Sequence, residues 1–543
     1  MSLSQPPALT HRQKLATMVA LLFGLFLAAL DQTIVGTALP KIVATLGGMD
    51  LYSWVFSAYM LTGTAAVPIG GKLSDLYGRR PYLLIGAAVF LAGSWLCGAA
   101  TTIYQLIVFR AIQGIGGGAL IAGSFTAVAD IFPPAERGRY QGLFGGVFAL
   151  SSVIGPTLGG YIVDNLGWRW VFYVNIPIGI VVLATMWRSL PRIPRDDRPK
   201  VVDVPGATAL VAFIVPLLLA LTWAGGAYPW GSARVIIPLV FSALMLVLFL
   251  LVERRSAEPI VPLSLFTDRT FSISVIVSFL TGIGMFGPIV FLPLFVQGVL
   301  GGSATSSGAI FTPMTLSIVA GANLSGQIMY RTGRYRHMAV IGPLLLAFGL
   351  FLLSRMGPDV SNTAIIIYLF FAGIGTGLTF PVYTMAVQNA LPFRFVGTGT
   401  SLIQFFRNLS GTLGTALMGA LVIARFKARL AASLPAGMRD MLQGGGPLRL
   451  ESLVGAGQGG AGAGAGGGAG GLGAAVPPEM LPLIRQALAE AITSAFVIGV
   501  VVCFLAFIFS LWLKEIPLRK AWAGQGDAPS PSDPQPAGRI SES

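Results

Sequence analysis

Long apolar runs separated by short polar stretches make up almost the whole chain. The first, residues 15–39, holds a single acid and no base. A helix needs about 20 apolar residues to cross a hydrocarbon layer, whereas a barrel strand needs about ten. About fourteen segments reach the helical length: 15–39, 52–71, 81–99, 104–129, 140–162, 170–187, 204–223, 235–251, 271–296, 307–328, 338–353, 364–387, 399–423 and 492–513. In lipid the backbone N–H and C=O groups must be satisfied internally. Runs of this length do so as helices, and the pattern predicts an all-α membrane protein with fourteen transmembrane helices, numbered here as spans 1 to 14.

The polar stretches contain an internal repeat. After span 2 the chain reads Gly71-Lys-Leu-Ser-Asp75-Leu-Tyr-Gly78-Arg79-Arg80, and after span 10 it reads Gly326-Gln-Ile-Met-Tyr330-Arg-Thr-Gly333-Arg334. The glycine spacing is the same and basic residues follow the second glycine in both. Matching span 2 to span 10 matches spans 1–6 to spans 9–14, two six-helix bundles joined by spans 7 and 8 as an inserted pair. Repeated halves with a site between them near the midplane are the build of many secondary transporters. The expected divisions are 1–200, 201–258 and 259–515, then a disordered cytoplasmic tail over 516–543. The longest connection, 424–491, is expected to face outward. Its middle, 455–473, is nearly all Gly and Ala and reads as flexible, while its two flanks have amphipathic helical spacing and extend spans 13 and 14.

Composition agrees: 54% of residues are hydrophobic and only 10% charged, against about a quarter charged in soluble domains. The net charge of +14 raises nucleic acid as a partner, but its distribution excludes it. Lys72, Arg79 and Arg80; Arg137 and Arg139; Arg188, Arg192, Arg195, Arg198 and Lys200; Arg254, Arg255 and Arg269; and Arg331, Arg334 and Arg336 occupy alternate connections. The intervening short connections hold little more than Lys41, Arg169, Arg234 and Arg355. This is the positive-inside bias, and it places both termini in the cytoplasm of a multi-pass protein of the cell's inner (plasma) membrane. The first run exceeds a signal-peptide core and no small-residue cleavage pattern follows, so it reads as a retained span. Cys97 and Cys503 lie in apolar runs, and His11 and His337 lie outside them, so neither a disulfide nor a metal site is expected. No cofactor and no obligate protein partner are expected; the partners are the bilayer, protons and a small molecule.

An ionisable group inside a span is costly and usually faces a cavity or a partner. Asp31, Arg110 and Arg407 stand out. Asp31 lies well inside span 1, where burial raises a carboxyl pKa and a nearby cation lowers it. A carboxylate whose surroundings alternate between wet and dry takes up and releases a proton; the other reading is a permanently hydrogen-bonded Asp. Arg110, in Phe109-Arg110-Ala-Ile-Gln113-Gly114-Ile-Gly116-Gly117-Gly118, either modulates a neighbouring acid or bonds backbone carbonyls. Arg407 sits nearer the cytoplasmic end of span 13, where an arginine also snorkels. In span 5, Gly155-Pro156-Thr-Leu-Gly159-Gly160 combines a helix-kinking Pro with glycines for close packing, as pivot or as packing motif. Gln32, Gln113, Gln297, Asn323, Gln388, Asn389, Gln404 and Asn408, with Arg407, are candidates to line a substrate cavity; each equally suits a helix-packing contact.

In this order and spacing the motifs resemble the major facilitator superfamily, and within it the fourteen-helix drug:proton antiporter branch, from residue 15 to 519. Leu30-Asp31-Gln-Thr-Ile-Val-Gly-Thr-Ala-Leu-Pro40 is similar to the span 1 signature of that branch. The stretch 71–80 is similar to the superfamily's cytoplasmic loop motif, 109–118 to the span 4 motif implicated in proton coupling, and 155–160 to the span 5 antiporter motif. Gly167-Trp168-Arg169-Trp170-Val-Phe-Tyr-Val-Asn175-Ile-Pro177 adds a further stretch. The resemblance implies a major-facilitator-type fold, proton coupling through Asp31 and Arg110, and a latch made by Asp75, Arg79 and Asp130, in which Asp75 can also face the positive N-terminus of span 13. Tyr330 replaces the acid in the second copy, so the latch is expected in the first half only.

The leading expectation is a proton-coupled exporter of lipophilic small molecules or drugs, with the proton gradient as energy source. Export of lipids or an endogenous amphipathic metabolite is the alternative, and a non-transporting receptor or scaffold a third reading, which leaves Asp31 and Arg110 without a purpose. No nucleophile–base or metal-ligand set points to an enzyme, and no Gly-x-x-x-x-Gly-Lys-Ser/Thr loop points to an ATP-driven pump.

Overall fold

The computed structural model describes residues 10–47, 51–191, 202–224, 228–256, 258–302, 304–392, 395–433 and 481–517. Its helices are α1 (His11–Leu46), α2 (Tyr52–Tyr77), α3 (Arg79–Ala99), α4 (Ile103–Ile131), α5 (Pro134–Asn165), α6 (Trp170–Ser189, interrupted at Val174), α7 (Val204–Trp223) and α8 (Ala233–Arg255). After a short 3-10 turn, Leu263–Thr267, come α9 (Arg269–Gly298), α10 (Ala304–Thr332), α11 (Arg336–Ser354), α12 (Asn362–Ala390), α13 (Val396–Ser433) and α14 (Leu481–Leu511). Each corresponds to the span of the same number.

Local chemistry sets where these helices begin. Thr10 and Gln13 form a reciprocal capping box ahead of α1, and the side chains of Thr102, Asp203, Asp268 and Ser361 cap α4, α7, α9 and α12. Gly78, at φ 95°, makes the turn between α2 and α3 in a conformation that L side chains rarely adopt.

Thirteen of the helices are long and apolar enough to cross a membrane; α2 is not among them. Its 26 residues include Thr62, Thr64, three glycines, Lys72, Ser74 and Asp75, which lower its hydropathy although it runs in the bundle beside α4. α2 is polar because it forms part of the contact between the halves.

Helices α1–α6 pack around Leu21, Phe90, Leu120, Phe125 and Phe144, and α9–α14 around Phe291, Phe295, Leu346, Leu369 and Phe496. In the first half, the α4 glycines allow backbone-to-backbone contact: a Cβ at Gly118 would overlap Gly63 of α2. The inserted helices pack on each other, and α7 lays Leu210, Ile214 and Leu218 against a cluster with Leu61 of α2 and Leu402 of α13. The outer side of α8, with Ile237, Val240, Leu244 and Val247, is left exposed, as a lipid-facing helix requires.

The flanks of the long connection are helical as expected. α13 continues to Ser433, α14 starts at Leu481, and Arg429 pairs with Glu490 at 2.9 Å. Phe426, Leu430, Ile484 and Leu488 continue the core of the second half between them. The Gly/Ala-rich middle, 455–473, and the tail beyond 517 lie outside the described residues.

One end of the bundle carries the basic connections, here called the basic face. There Arg80 donates to the Trp187 carbonyl at 2.6 Å, Tyr335 to the Lys514 carbonyl at 3.0 Å, and Asn389 to the Ile516 carbonyl at 3.1 Å. The two halves meet mainly toward this face. Gly138 and Gly142 of α5 lie against Met329 and Asn323 of α10, and Gly71 of α2 against Ser401 of α13. Toward the other end of the same helices, Gly160 and Gly308 have open space where a side chain would project. The halves are closed at the basic face.

Single cysteines test the topology. Arg331 and Asp359 are exposed at opposite ends, and the native thiols, Cys97 and Cys503, are buried and silent to polar reagents. Arg331→Cys is expected to label only after permeabilisation of intact cells, and Asp359→Cys from outside. Labelling of both from one side would overturn the fourteen-helix arrangement.

Candidate functional site

Two buried charge clusters lie on the first half, and a third cationic site on the second. The first is built around Asp31, a little past the middle of α1. Its carboxylate accepts from Arg110 Nη1 at 2.6 Å, from Gln113 Nε2 at 2.9 Å and from Asn175 Nδ2 at 2.8 Å. Arg110 and Gln113 are neighbours on one α4 face, three residues apart. Arg110 also donates to the Gln113 side-chain oxygen at 2.7 Å and to the Val55 carbonyl at 3.3 Å. Its guanidinium lies over the Tyr59 ring, 4.2 Å from the centroid. Asn175, at the break in α6, reaches Ser94 at 3.0 Å, and Ser94 donates to the Phe172 carbonyl at 2.9 Å. Asp31, Arg110, Gln113 and Asn175 are all 0% exposed.

A buried ion pair offsets its desolvation only when its remaining polar atoms are bonded. Asp31 meets that condition, but Arg110 Nη2 and Asn175 Oδ1 have no hydrogen-bond partner among the described residues. The cluster therefore holds a donor and an acceptor in reserve beside the carboxylate.

The α5 motif touches the same helix two residues on. Thr33 donates to the Ser151 carbonyl at 3.0 Å, and a Cβ at Gly155 would overlap the Thr33 hydroxyl. Gly159 is buried. The backbone stays helical across Pro156, whose side chain lies outside the described residues. Gln32 is half-buried beside Tyr59.

The second cluster closes the basic face. Arg79 Nη2 lies 2.7 Å from Asp75 Oδ1, and its Nε lies 3.0 Å from Asp130 Oδ2. Arg79 also donates to Ser74 at 2.5 Å. The other Asp75 oxygen accepts from the Thr398 backbone N–H at 2.7 Å and from its hydroxyl at 2.8 Å. Thr398 lies in the first turn of α13, where free N–H groups and the helix dipole favour an anion. Asp75 thus bridges its own half's arginine and the other half's helix start. Arg80 stands apart, stacked on Trp187 of α6 with 5.1 Å to the centroid. Beside the latch, Arg137 of α5 bonds the Phe132 and Ala129 carbonyls at 2.8 Å and reaches the Gln388 carbonyl of α12 at 3.5 Å. Gln141 donates to Gln388 at 3.2 Å, and Gln388 to Thr400 at 3.1 Å.

The remaining cavity candidates are not gathered in one place. Gln388 joins the contact between the halves, and Asn389 anchors the segment after α14. Asn323, half-buried, bonds its own helix at the α5–α10 contact. Gln297 is half-buried near the end of α9, and Asn408 is exposed. Arg407 does not snorkel: it is buried in the second half, donates to Gln404 at 2.8 Å and lies over the Phe380 ring, 3.9 Å from the centroid. Snorkelling fails because the chain points into the bundle, where Phe380 takes its planar face. Sequence reading overlooked Asn175, Ser94, Tyr59, Gln141 and Thr398. Asn175 alone carried a signal, a bare amide inside an apolar run; the rest are groups whose partners come from other helices.

Residues 21–415 match the family model of the Major Facilitator Superfamily. The chain is 36% identical over 515 residues to multidrug transporter protein MdtP of Bacillus subtilis, covering 92% of this chain and 93% of that protein. It is 38% identical over 498 residues to multidrug resistance protein 3 of the same organism, covering 92% and 94%. Among solved structures it superposes on the human organic anion transporter MFSD10 with TM-score 0.58 at 16% identity, covering 92% of this chain and 100% of that one.

Proposed function

We propose, on the premise that this chain belongs to the major facilitator superfamily, that it is a proton-coupled antiporter exporting lipophilic small molecules by alternating access. Membership makes it a multi-pass membrane transporter and not an enzyme. The finer reading adds that the basic face is cytoplasmic, that the membrane is the plasma membrane, and that Asp31 takes the proton.

The observation that carries this reading is the buried Asp31–Arg110 pair, with a donor and an acceptor held in reserve. In this reading the outer side opens, and an external proton neutralises Asp31. The carboxyl then gives up part of its hold on Arg110, Gln113 and Asn175, and the two reserve groups take new bonds. Movement of α1 is passed to α5 through Thr33, Ser151 and Gly155. The other end of α5 bears Gln141, which holds Gln388 across the closed gate. Protonation at one end thereby biases opening at the other, the two-state coupling that alternating access requires. The names of the bacterial relatives support drug-like substrates. Export of a lipid or amphipathic metabolite is the second reading, favoured by the packed extensions of α13 and α14 joined through Arg429 and Glu490.

Proteoliposomes with an imposed pH gradient test the reading. A lipophilic dye is expected to move uphill against proton flow, and an electroneutral proton–potassium exchanger is expected to stop it at once. Uphill movement that persists after the gradient is gone would sink proton coupling.

A further inference from the structure

We infer that Arg407 is the receiving group for an acidic substrate, so that the exported molecules are amphiphiles carrying a carboxylate, sulfonate or similar anion; this rests on the export reading above. Three buried cations of the first half have acids: Arg110 has Asp31, Arg79 has Asp75 and Asp130, and Lys72 has Glu258 at 2.6 Å. Arg407 is only 7% exposed, yet among the described residues no carboxylate lies within ion-pair distance of it. Its bonds go to a neutral amide, Gln404, and to the Phe380 carbonyl at a long 3.4 Å. A guanidinium has five N–H donors, and these two acceptors leave most of them unused. Burying a charge so poorly answered is expensive unless a counter-charge arrives.

The surroundings say where that charge would come from. Arg407 lines a small cavity with Thr281, Met285, Leu346, Thr376 and Phe380, between α9, α11, α12 and α13. The Thr281, Thr376 and Thr379 hydroxyls donate to their own helices, so the guanidinium is the one charge on a lining of threonine and apolar side chains. The Phe380 ring that covers it also meets Phe125 of α4, with centroids 5.8 Å apart. The cation is therefore one aromatic side chain from the contact between the halves, where a substrate must pass. The cavity, about 10 Å³, has room for a small acidic group only, so a lipophilic anion would place its acid at the fork of Arg407 and its apolar body on the Phe380 side, toward the contact between the halves.

The test is equilibrium binding to the full chain in lipid nanodiscs, with empty discs subtracted. The probes are anilinonaphthalene sulfonate and N-phenylnaphthylamine, which differ by the anionic group. The wild-type protein is expected to bind the sulfonate roughly tenfold or more tighter, the scale of a charge-assisted bond. Arg407→Gln is expected to abolish that preference while changing binding of the neutral probe less than about twofold, and Arg407→Lys to keep part of it, as a point charge without the fork. A wild-type protein without preference for the sulfonate overturns the inference, as does an Arg407→Gln variant that keeps the preference. Loss of both probes in both variants would make Arg407 structural and equally overturn it. Binding is read without a gradient, while uphill transport of the neutral probe is read in proteoliposomes. The acidic-substrate inference can therefore fail while proton-coupled export stands, and the reverse.

Discussion

Asp31→Asn is expected to abolish uphill transport. One pH unit is worth about 1.4 kcal/mol, so one proton per substrate sustains at most about a tenfold substrate gradient per unit. In the variant that ratio is expected to fall to one, with only downhill exchange left. The same change disturbs the fold, because three donors converge on a carboxylate that an amide replaces poorly. Removing one partner of a buried ion pair costs about 3–5 kcal/mol. A second variant separates the two effects. Asp31→Asn combined with Arg110→Gln removes both charges and is expected to recover most of the lost thermal stability without recovering coupling. A stable double variant that still concentrates substrate against its gradient would show that the pair is only structural.

Arg79→Ala is expected to open the basic face. Without Arg79, Asp75 and Asp130 lose the guanidinium they share, and the bridge to Thr398 loses its counter-charge. The penalty of about 3–5 kcal/mol is comparable to the roughly 5.5 kcal/mol that carries a two-state equilibrium from 99:1 to 1:99. The population is therefore expected to move most of the way to the state open at that face. Ser401, buried against Gly71, reports the change. Ser401→Cys is expected to react with a polar thiol reagent at least roughly tenfold faster in the Arg79→Ala background. Asp75→Asn, which keeps the shape but weakens the hold on Thr398, is expected to fall between. An unchanged labelling rate in both backgrounds would remove the latch from the mechanism.

The two clusters differ in how far the sequence disclosed them. The latch was legible because its acid and arginine lie one helical turn apart in a motif that occurs twice, the second time without the acid. Its partner across the gate was legible as the positive start of span 13, but not as Thr398, since a backbone N–H has no signature in residue type. Asp31 and Arg110 were conspicuous for the same reason in both cases, a charge inside an apolar run. Their pairing was open, because spans 1 and 4 are separated by 79 positions and nothing local sets which faces meet.

By itself the sequence determined the solvent, the helix count and the sidedness expected of this protein, since hydrocarbon thickness fixes run length and loop charge biases orientation. The repeated glycine motif likewise carries the expectation of two six-helix halves and an inserted pair. Only the tertiary structure decided which polar residues act together. It moved Gln388 and Asn389 from an imagined cavity to the basic face, and it turned Arg407 from a snorkelling side chain into a buried cation. The physical reason is that helix rotation and crossing are set by close packing of small residues such as Gly114, Gly118 and Gly155 against other helices. A single strand of sequence records that a helix can be approached closely, but not by which neighbour.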